Sequence, residues 1–213
     1  ASAAPAAHAD GPRIAIVAWP HLSNLDEFQP LAAVASLRWA RSAAELESAD
    51  WIVLPGSKQV SGDLAWLRAQ GLDRAVIDHA RAGKPLLGIC GGLQLLGETL
   101  SDPEGVDGEA YEHTTGLGLL PLATHYAAPK RLRAAPVRFG DLAAPWQALS
   151  TTTLPAYEIR CGRTQALDAS ARPVLFDAQG AAIGWQRGSV LGLAAHGLRS
   201  EEHTSELQSQ SLI

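Results

Sequence analysis

The segment PLLGICGGLQLLG, residues 85–97, contains Cys90, the residue best suited to covalent chemistry. An apolar run ends at this cysteine and a helix-forming run follows it, so the thiol stands at a turn between a buried strand and a helix. Gly88, Gly91 and Gly92 permit a strained turn and the close approach of a substrate. The helix N-terminus favours a thiolate, and the Gly91 N–H would face an oxyanion on an attacked carbonyl. The pattern predicts a nucleophile; the alternative is a buried cysteine that acts as a small apolar side chain.

A thiolate nucleophile needs a general base, which is usually histidine. His196 is the best placed, because it follows the apolar run SVLGLAA and precedes Gly197. A strand end fixes the imidazole ring while the following loop gives access to it. The other histidines lie in the terminal segments, in a helix pattern or in loop-like stretches with no accompanying signal: His8, His21, His79, His113, His125 and His203.

The segment LPGSK, residues 54–58, follows the apolar run WIVL and could supply a second set of oxyanion donors. The main chain of Gly56 and Ser57 can turn its N–H groups toward Cys90. By itself the segment is an ordinary turn between a strand and a helix, which also favours Pro, Gly and Ser. Its place one strand and one helix ahead of GICGGLQ favours the functional interpretation.

The elements that must position these residues alternate regularly up to residue 100. Apolar runs predict buried strands at residues 14–18, 51–54 and 85–90. Apolar spacing predicts helices at residues 26–40, at 63–80 with Asp63 as its cap and a break near Gly71, and at 92–100. The fold class predicted is α/β, with a mostly parallel central sheet flanked by helices.

The second half of the chain carries short strand candidates separated by Gly and Pro. They include GLGLLPLATHY, KRLRAAPVRF, AYEIRCGRT, RPVLF and a hairpin over residues 181–195 that turns at Arg187 and Gly188. We expect these strands to extend the sheet or to form a small antiparallel one.

Composition narrows the class of protein. The chain has 213 residues, 46% hydrophobic and 18% charged, with a net charge of −5, which is typical of a globular domain and argues against a nucleic-acid partner. Its two cysteines stand 71 positions apart, a spacing that suits neither a disulfide framework nor a metal site and favours the cytoplasm. No stretch approaches the ~20 apolar residues needed to span a membrane, and no secretory signal begins the sequence.

The two ends differ from the rest of the chain. The Ala/Pro-rich residues 1–11 read as the remnant of an interdomain linker, and residues 12–198 as the folded domain. The amino-acid sequence of residues 199–209 resembles the translation of a DNA-sequencing adapter. We therefore predict that residues 199–213 form a non-native tail and that the native C-terminus is missing after Leu198.

Taken together, GICGGLQ, the upstream LPGSK and the downstream HG resemble the class I glutamine amidotransferases, the glutaminase domains with a cysteine nucleophile. Within that family, the chain is most similar to the C-terminal domains of cobyric acid synthases. The similar segments follow in the family's order over nearly all of residues 13–198. They are AWPHLSNLDEFQPL, LPGSKQVSGDLAWLRAQGLD, GKPLLGICGGLQLLGETLSDPEGVDG, GLGLLPLAT, YEIRCGRT and VLGLAAHGL.

This resemblance implies a role for each matching residue. Cys90 would attack the side-chain amide of glutamine and release ammonia, and His196 would transfer the proton. The N–H groups of Gly91 and of the Gly56–Ser57 turn would stabilise the oxyanion. Gln94, one helical turn after Cys90, would help to hold the substrate.

The resemblance also implies a partner. Ammonia would pass to an N-terminal synthetase domain, absent here, that uses ATP and Mg²⁺ to amidate peripheral carboxylates of a corrin, adenosylcobyrinic acid a,c-diamide, in cobalamin biosynthesis. Because no P-loop pattern occurs in this sequence, we expect no cofactor in this domain. We expect the domain alone to hydrolyse glutamine weakly or not at all.

Three positions depart from the family pattern. Arg160 replaces the histidine of YEIH, which suggests the loss of a contact with substrate or partner, and Cys161 stands where the family often has Met. No acidic residue follows His196 two positions on, so the site resembles a Cys–His dyad. Glu158 is a candidate to orient the imidazole, beside the alternative of a structural role in its strand.

Two other interpretations remain. The domain could supply ammonia for a different amidation reaction, either of the a and c carboxylates of cobyrinate or of a peptidoglycan precursor. It could also be a binding module of the same fold with a silent thiol.

Overall fold

A computed structural model describes residues 11–197 of the chain, without the side chains of residues 129–133 and 158–161. The predicted linker, apart from Gly11, and the predicted non-native tail lie outside the described residues. None of the helices within the described part has the length and apolarity that crossing a bilayer requires.

The first half of the chain alternates strands and helices, as its sequence predicts. In chain order the elements are β1 (Arg13–Val17), β2 (Leu22–Ser23), a 3₁₀ helix (Leu25–Ala33), β3 (Ser36–Ala40), α1 (Ala43–Glu47), β4 (Trp51–Leu54), β5 (Gly56–Ser57), α2 (Val60–Ala69), α3 (Leu72–Arg81), β6 (Leu86–Ile89) and α4 (Gly91–Leu96). The break at Gly71 is confirmed, and this glycine adopts the left-handed φ of 68° that its lack of a side chain permits.

The second half consists mainly of strands. They are β7 (Thr99–Asp102), β8 (Tyr111–Thr115), β9 (Leu122–Phe139), β10 (Thr153–Ala166), β11 (Arg172–Phe176), β12 (Ala182–Arg187) and β13 (Val190–Leu193), with a short 3₁₀ helix (Gln147–Leu149) before β10. The predicted hairpin is confirmed, although Arg187 pairs with Val190 and the turn consists of Gly188 and Ser189.

Eleven strands form one mixed sheet, in the order β3-β1-β4-β6-β13-β12-β11-β9-β7-β8, with β10 paired to β9. The first five strands of this order run parallel to one another, the pairs β13–β12, β12–β11 and β11–β9 are antiparallel, and β9 is parallel to β7. The antiparallel strands thus extend the main sheet. Strands β4, β6 and β13 are adjacent and parallel, so their carboxyl ends meet at one edge. The α/β fold class is confirmed.

The helix predicted over residues 26–40 is wrong in its second half. A 3₁₀ helix ends at Ala33, and Ser36–Ala40 is β3, an edge strand parallel to β1. Pro30 lies inside the 3₁₀ helix, and in an α-helix its ring would clash with the carbonyl group four residues before it, which opposes an α-helix there. Phe28 and Trp39 do pack together, with ring centroids 5.9 Å apart, but from a helix and a strand.

Two helix boundaries also differ from prediction. Asp63 is not a cap but lies inside α2, which begins at Val60. Helix α4 ends at Leu96, and Thr99–Asp102 is β7 instead of the end of a helix predicted to reach residue 100.

Candidate active site

Cys90 occupies the turn between β6 and α4, as its sequence predicts. Its backbone has φ 51° and ψ −103°, a strained conformation for a residue with a side chain. A methyl group added at Gly88 would lie 2.6 Å from Leu96 Cδ1 and 2.7 Å from the Gly92 carbonyl oxygen. Only glycine fits there, because β6 and α4 lie so close together. The thiol is 8% exposed, so it is accessible only from a confined site.

His196 follows β13, the parallel neighbour of β6. Its main chain pairs with that of Tyr157, because the His196 N–H donates to the Tyr157 carbonyl at 2.8 Å and the Tyr157 N–H donates back at 3.1 Å. The two rings are stacked, with centroids 5.5 Å apart and planes 18° from parallel. These contacts hold both the backbone and the imidazole ring of His196 in place.

A side-chain hydrogen bond joins His196 to Cys90. Burial lowers the pKa of His196, but the hydrogen bonds and charges of Cys90 and Glu27 outweigh burial and raise that pKa to about 10. The arrangement therefore favours the imidazolium form of His196 beside the Cys90 sulfur. A cysteine acts as a nucleophile in its thiolate form, which a neighbouring positive charge stabilises.

Glu27 is a site residue that the sequence did not indicate. Its Oε2 lies 3.2 Å from His196 Nδ1, and the Glu27 side chain is 8% exposed. Asn24 also lies against the ring, with its side-chain nitrogen 3.2 Å from Nδ1 and 3.4 Å from Nε2. Instead of a dyad, the structure has a Cys–His–carboxylate arrangement whose acid comes from the 3₁₀ helix. The side chain of Glu158, the predicted orienter, lies outside the described residues, as do those of Arg160 and Cys161.

The LPGSK segment reaches the nucleophile turn, as predicted. Strand β5 carries Gly56 and Ser57 beside α4, where a methyl group added at Gly91 would lie 2.7 Å from the Ser57 nitrogen. A methyl group at Gly56 would lie 2.9 Å from Cε1 of His196. The structure therefore brings Gly56, Ser57 and Gly91 to Cys90 and His196, and main-chain N–H groups there are suited to stabilising an oxyanion.

Gln94 is buried on α4 and has a partner within the protein. The Tyr126 hydroxyl donates to its Oε1 at 2.9 Å, and its side-chain nitrogen packs against Gly162. Burial, together with the charges of Asp107 and Cys90, raises the pKa of Tyr126, so this hydroxyl stays protonated as a donor. A contact between Gln94 and a substrate remains a prediction.

Among the described residues, no three His, Cys, Asp or Glu side chains are grouped so that they could hold a metal ion.

Comparison with known proteins agrees with this geometry. Residues 13–204 match the family model of the CobB/CobQ-like glutamine amidotransferase domain. A cobyric acid synthase of Methylibium petroleiphilum is 57% identical over 192 residues, which are 87% of this chain and 38% of that protein. A cobyric acid synthase of Leptothrix cholodnii is 52% identical over 204 residues, 92% of this chain and 40% of that protein. The chain thus spans well under half the length of these relatives.

Solved structures share the fold at low sequence identity. PurLQS from Thermotoga maritima superposes with a TM-score of 0.66 at 16% identity, covering 92% of both chains. A crystal structure of a glutamine amidotransferase gives a TM-score of 0.63 at 16% identity, covering 92% of this chain and 98% of the other. The nucleophile turn, the adjoining histidine and the match over residues 13–204 lead to one conclusion: the chain belongs to the family of CobB/CobQ-like glutamine amidotransferase domains.

Proposed function

We propose that this chain is the glutaminase part of a cobyric acid synthase, which hydrolyses glutamine and passes the ammonia to a synthetase part. The observation that carries the proposal is the hydrogen bond between Cys90 and His196 at the adjacent carboxyl ends of β6 and β13. The names of the relatives, which are 50–57% identical, support the choice of acceptor.

The first half of the reaction makes a thioester. The Cys90 thiolate attacks the carbonyl carbon of the glutamine side-chain amide, and the carbonyl electrons move to an oxyanion faced by the main-chain N–H groups of Gly91 and the Gly56–Ser57 turn. His196 gives its proton to the amide nitrogen as the carbon–nitrogen bond breaks. Ammonia leaves, and a glutamyl thioester remains on Cys90.

The second half restores the enzyme. Water attacks the thioester carbon while His196 accepts one of the water protons. The carbon–sulfur bond then breaks and glutamate leaves. Cys90 is left as a thiolate beside the imidazolium of His196. Glu27 holds the imidazole ring in place through both steps.

The destination of the ammonia is the finer part of the proposal. An N-terminal synthetase part would use ATP and Mg²⁺ to amidate the peripheral carboxylates of adenosylcobyrinic acid a,c-diamide, and this domain would need no cofactor of its own. The relatives are long enough for such a part, since this chain matches 38% of the Methylibium petroleiphilum protein. We also place the protein in the cytoplasm, on the cysteine spacing.

Replacement of Cys90 tests the glutaminase reaction. Cys90→Ala should abolish glutamate release from radiolabelled glutamine and labelling by 6-diazo-5-oxo-norleucine, with an unchanged circular dichroism spectrum. Cys161→Ala is the matched control and should keep both reactions. Glutamate release by the Cys90→Ala variant would refute the mechanism, and a wild-type chain that takes up no label would favour the silent module.

Exchange of parts tests the acceptor. When the chain replaces the matching 38% of the Methylibium petroleiphilum relative, the hybrid should amidate the corrin with glutamine as the nitrogen source. With Cys90→Ala, the hybrid should require added ammonia. A hybrid that uses ammonia but never glutamine would contradict the assignment of this acceptor.

A further inference from the structure

Asp63 is a charged residue within the protein interior that the proposed reaction does not use. It lies on α2 and is 0% exposed. Burial of a carboxylate costs several kcal/mol of folding free energy unless hydrogen-bond donors surround it. The presence of an aspartate at this buried position therefore calls for an explanation. Asp63 has three donors: the Ser57 hydroxyl at 2.5 Å on Oδ2, and the main-chain N–H and Nδ1 of His21, both at 3.0 Å on Oδ1.

These donors come from the two strands of a short antiparallel ribbon. Strand β5 pairs with β2 through Ser57 with Leu22 and through Gly56 with Ser23. His21 directly precedes β2, and its carbonyl accepts the N–H of Lys58 at 2.8 Å. A ribbon of two residues per strand has too few hydrogen bonds to hold itself in place. The Asp63 carboxylate joins both strands to a helix of the main body.

Each strand of the ribbon leads to a different half of the active site. Strand β5 brings the Ser57 nitrogen to the Gly91 backbone beside Cys90. Strand β2 leads directly into Asn24 and Glu27, which contact His196. The ribbon therefore connects the oxyanion donors with the group that holds the imidazole.

The helix that carries Asp63 is itself fixed at its start. The Asp107 carboxylate accepts the main-chain N–H groups of Val60 and Ser61 at 3.0 and 2.8 Å, so it supplies the N-terminal cap that the sequence assigned to Asp63. Helix α2 also packs against α4, which begins at the nucleophile turn. Asp63 thus ties the ribbon to the same body that carries Cys90.

On these contacts, we propose that Asp63 is a positioning residue that holds, through one buried carboxylate, both the oxyanion donors of the Gly56–Ser57 turn and the Asn24–Glu27 segment that contacts His196. This inference rests on the proposed glutaminase reaction. The Asp63 carboxylate binds Ser57 and His21, so its effect on the reaction passes through these two residues.

Two substitutions separate the two strands of the ribbon. Asp63→Asn keeps the size of the side chain but replaces one acceptor oxygen with an NH2 group and removes the negative charge. One strand therefore loses its acceptor, and the other loses the charge that strengthens its hydrogen bond. Ser57→Ala removes the hydroxyl that joins the oxyanion turn to Asp63 and that accepts the Gln59 N–H at 3.0 Å, but it leaves the N–H groups of the turn in the chain. Ser57→Thr restores the hydroxyl. Asp78→Asn, at an exposed position on α3, is the matched control for the loss of charge.

The readouts are glutamine hydrolysis and the alkylation of Cys90 by iodoacetamide, which needs the thiolate but forms no oxyanion. Asp63→Asn should lower kcat for hydrolysis at least tenfold, leave KM within threefold, and slow alkylation. Ser57→Ala should lower kcat at least tenfold with unchanged alkylation, Ser57→Thr should recover most of the loss, and Asp78→Asn should match the wild type.

The outcomes keep this inference apart from the proposed function. Asp63→Asn with wild-type kcat would overturn the positioning role, and so would Ser57→Ala that slowed hydrolysis and alkylation equally, since that indicates general damage. If Asp63→Asn does not fold, the Ser57 pair decides the question alone. Glutamate release by the Cys90→Ala variant would instead refute the glutaminase mechanism itself.

Discussion

Replacing Glu27 with Gln tests whether a carboxylate far away in sequence controls the charge of His196. The substitution keeps the size of the side chain and removes its charge 3.2 Å from Nδ1, where the two side chains are only 8% and 2% exposed. An opposite charge this close shifts a pKa by about 1–3 units toward the charged form. We therefore expect the pKa of His196, which is about 10 with Glu27 present, to fall by about that amount in the Glu27→Gln variant.

The loss of charge should also slow the reaction. With the imidazolium less stable, the thiolate loses its counter-ion, and the ring loses the group that holds it toward Cys90. Positioned general acid–base groups contribute about 10²–10⁴-fold to rate, so kcat for glutamine hydrolysis should fall about 10²-fold. Asp26→Asn, one residue away and exposed on the same 3₁₀ helix, should stay within about twofold of the wild type.

Two measurements check this prediction. Glutamate release gives kcat, and an NMR titration of ring-labelled histidines gives the pKa of His196, with the signal assigned from a His196→Gln variant. A Glu27→Gln protein that kept both the wild-type rate and the wild-type titration of His196 would refute the assignment of Glu27 as the group that holds the ring.

The remaining predictions concern stability and space around the same ring. Folding raises the pKa of His196 from 6.5 to about 10, so the stability due to its charge is complete below pH 6.5 and is lost as the pH rises through about 10. Urea unfolding of the wild type should show this loss, with a slope of up to about 1.4 kcal/mol per pH unit between those values, and His196→Gln should lack it. Gly56→Ala would place a methyl group 2.9 Å from Cε1 of His196 and against the Ser23 hydroxyl, so it should displace the ring and lower kcat about tenfold, with a loss in stability of about 1–3 kcal/mol. A Gly56→Ala variant as active as the wild type would show that the ring has room to move.

The central part of the site could be predicted from the sequence because local signals and one topological rule suffice for it. WIVL, PLLGIC and SVLGLAA each read as a buried strand, and parallel strands in a sheet place their carboxyl ends at one edge. The order β4-β6-β13 then brings residues 56–57, Cys90 and His196 together. The glycines around Cys90 indicated the strained turn that the structure contains.

The segment of residues 26–40 shows why other elements could not be predicted. Its apolar residues have helical spacing, yet β3 pairs with β1 over five residues, and each main-chain hydrogen bond formed there depends on a strand distant in sequence. Periodicity reports which side chains face the core but not which partner the backbone has. The same limit applies to Asp63, because a cap and a buried anchor for a distant ribbon have the same residue type.

Glu27 could not be predicted, because an acid 169 positions before His196 forms no sequence motif with it. A local feature explains how the Glu27 side chain reaches the imidazole ring. Asn24 adopts the left-handed φ of 55° and accepts the Glu27 N–H at 3.1 Å, which starts the 3₁₀ helix. This turn brings Asn24, the residue before the helix, next to Glu27, and the side chains of both contact His196. Pro30, which opposes the α-helix, therefore also favours the tighter turn from which both side chains contact His196.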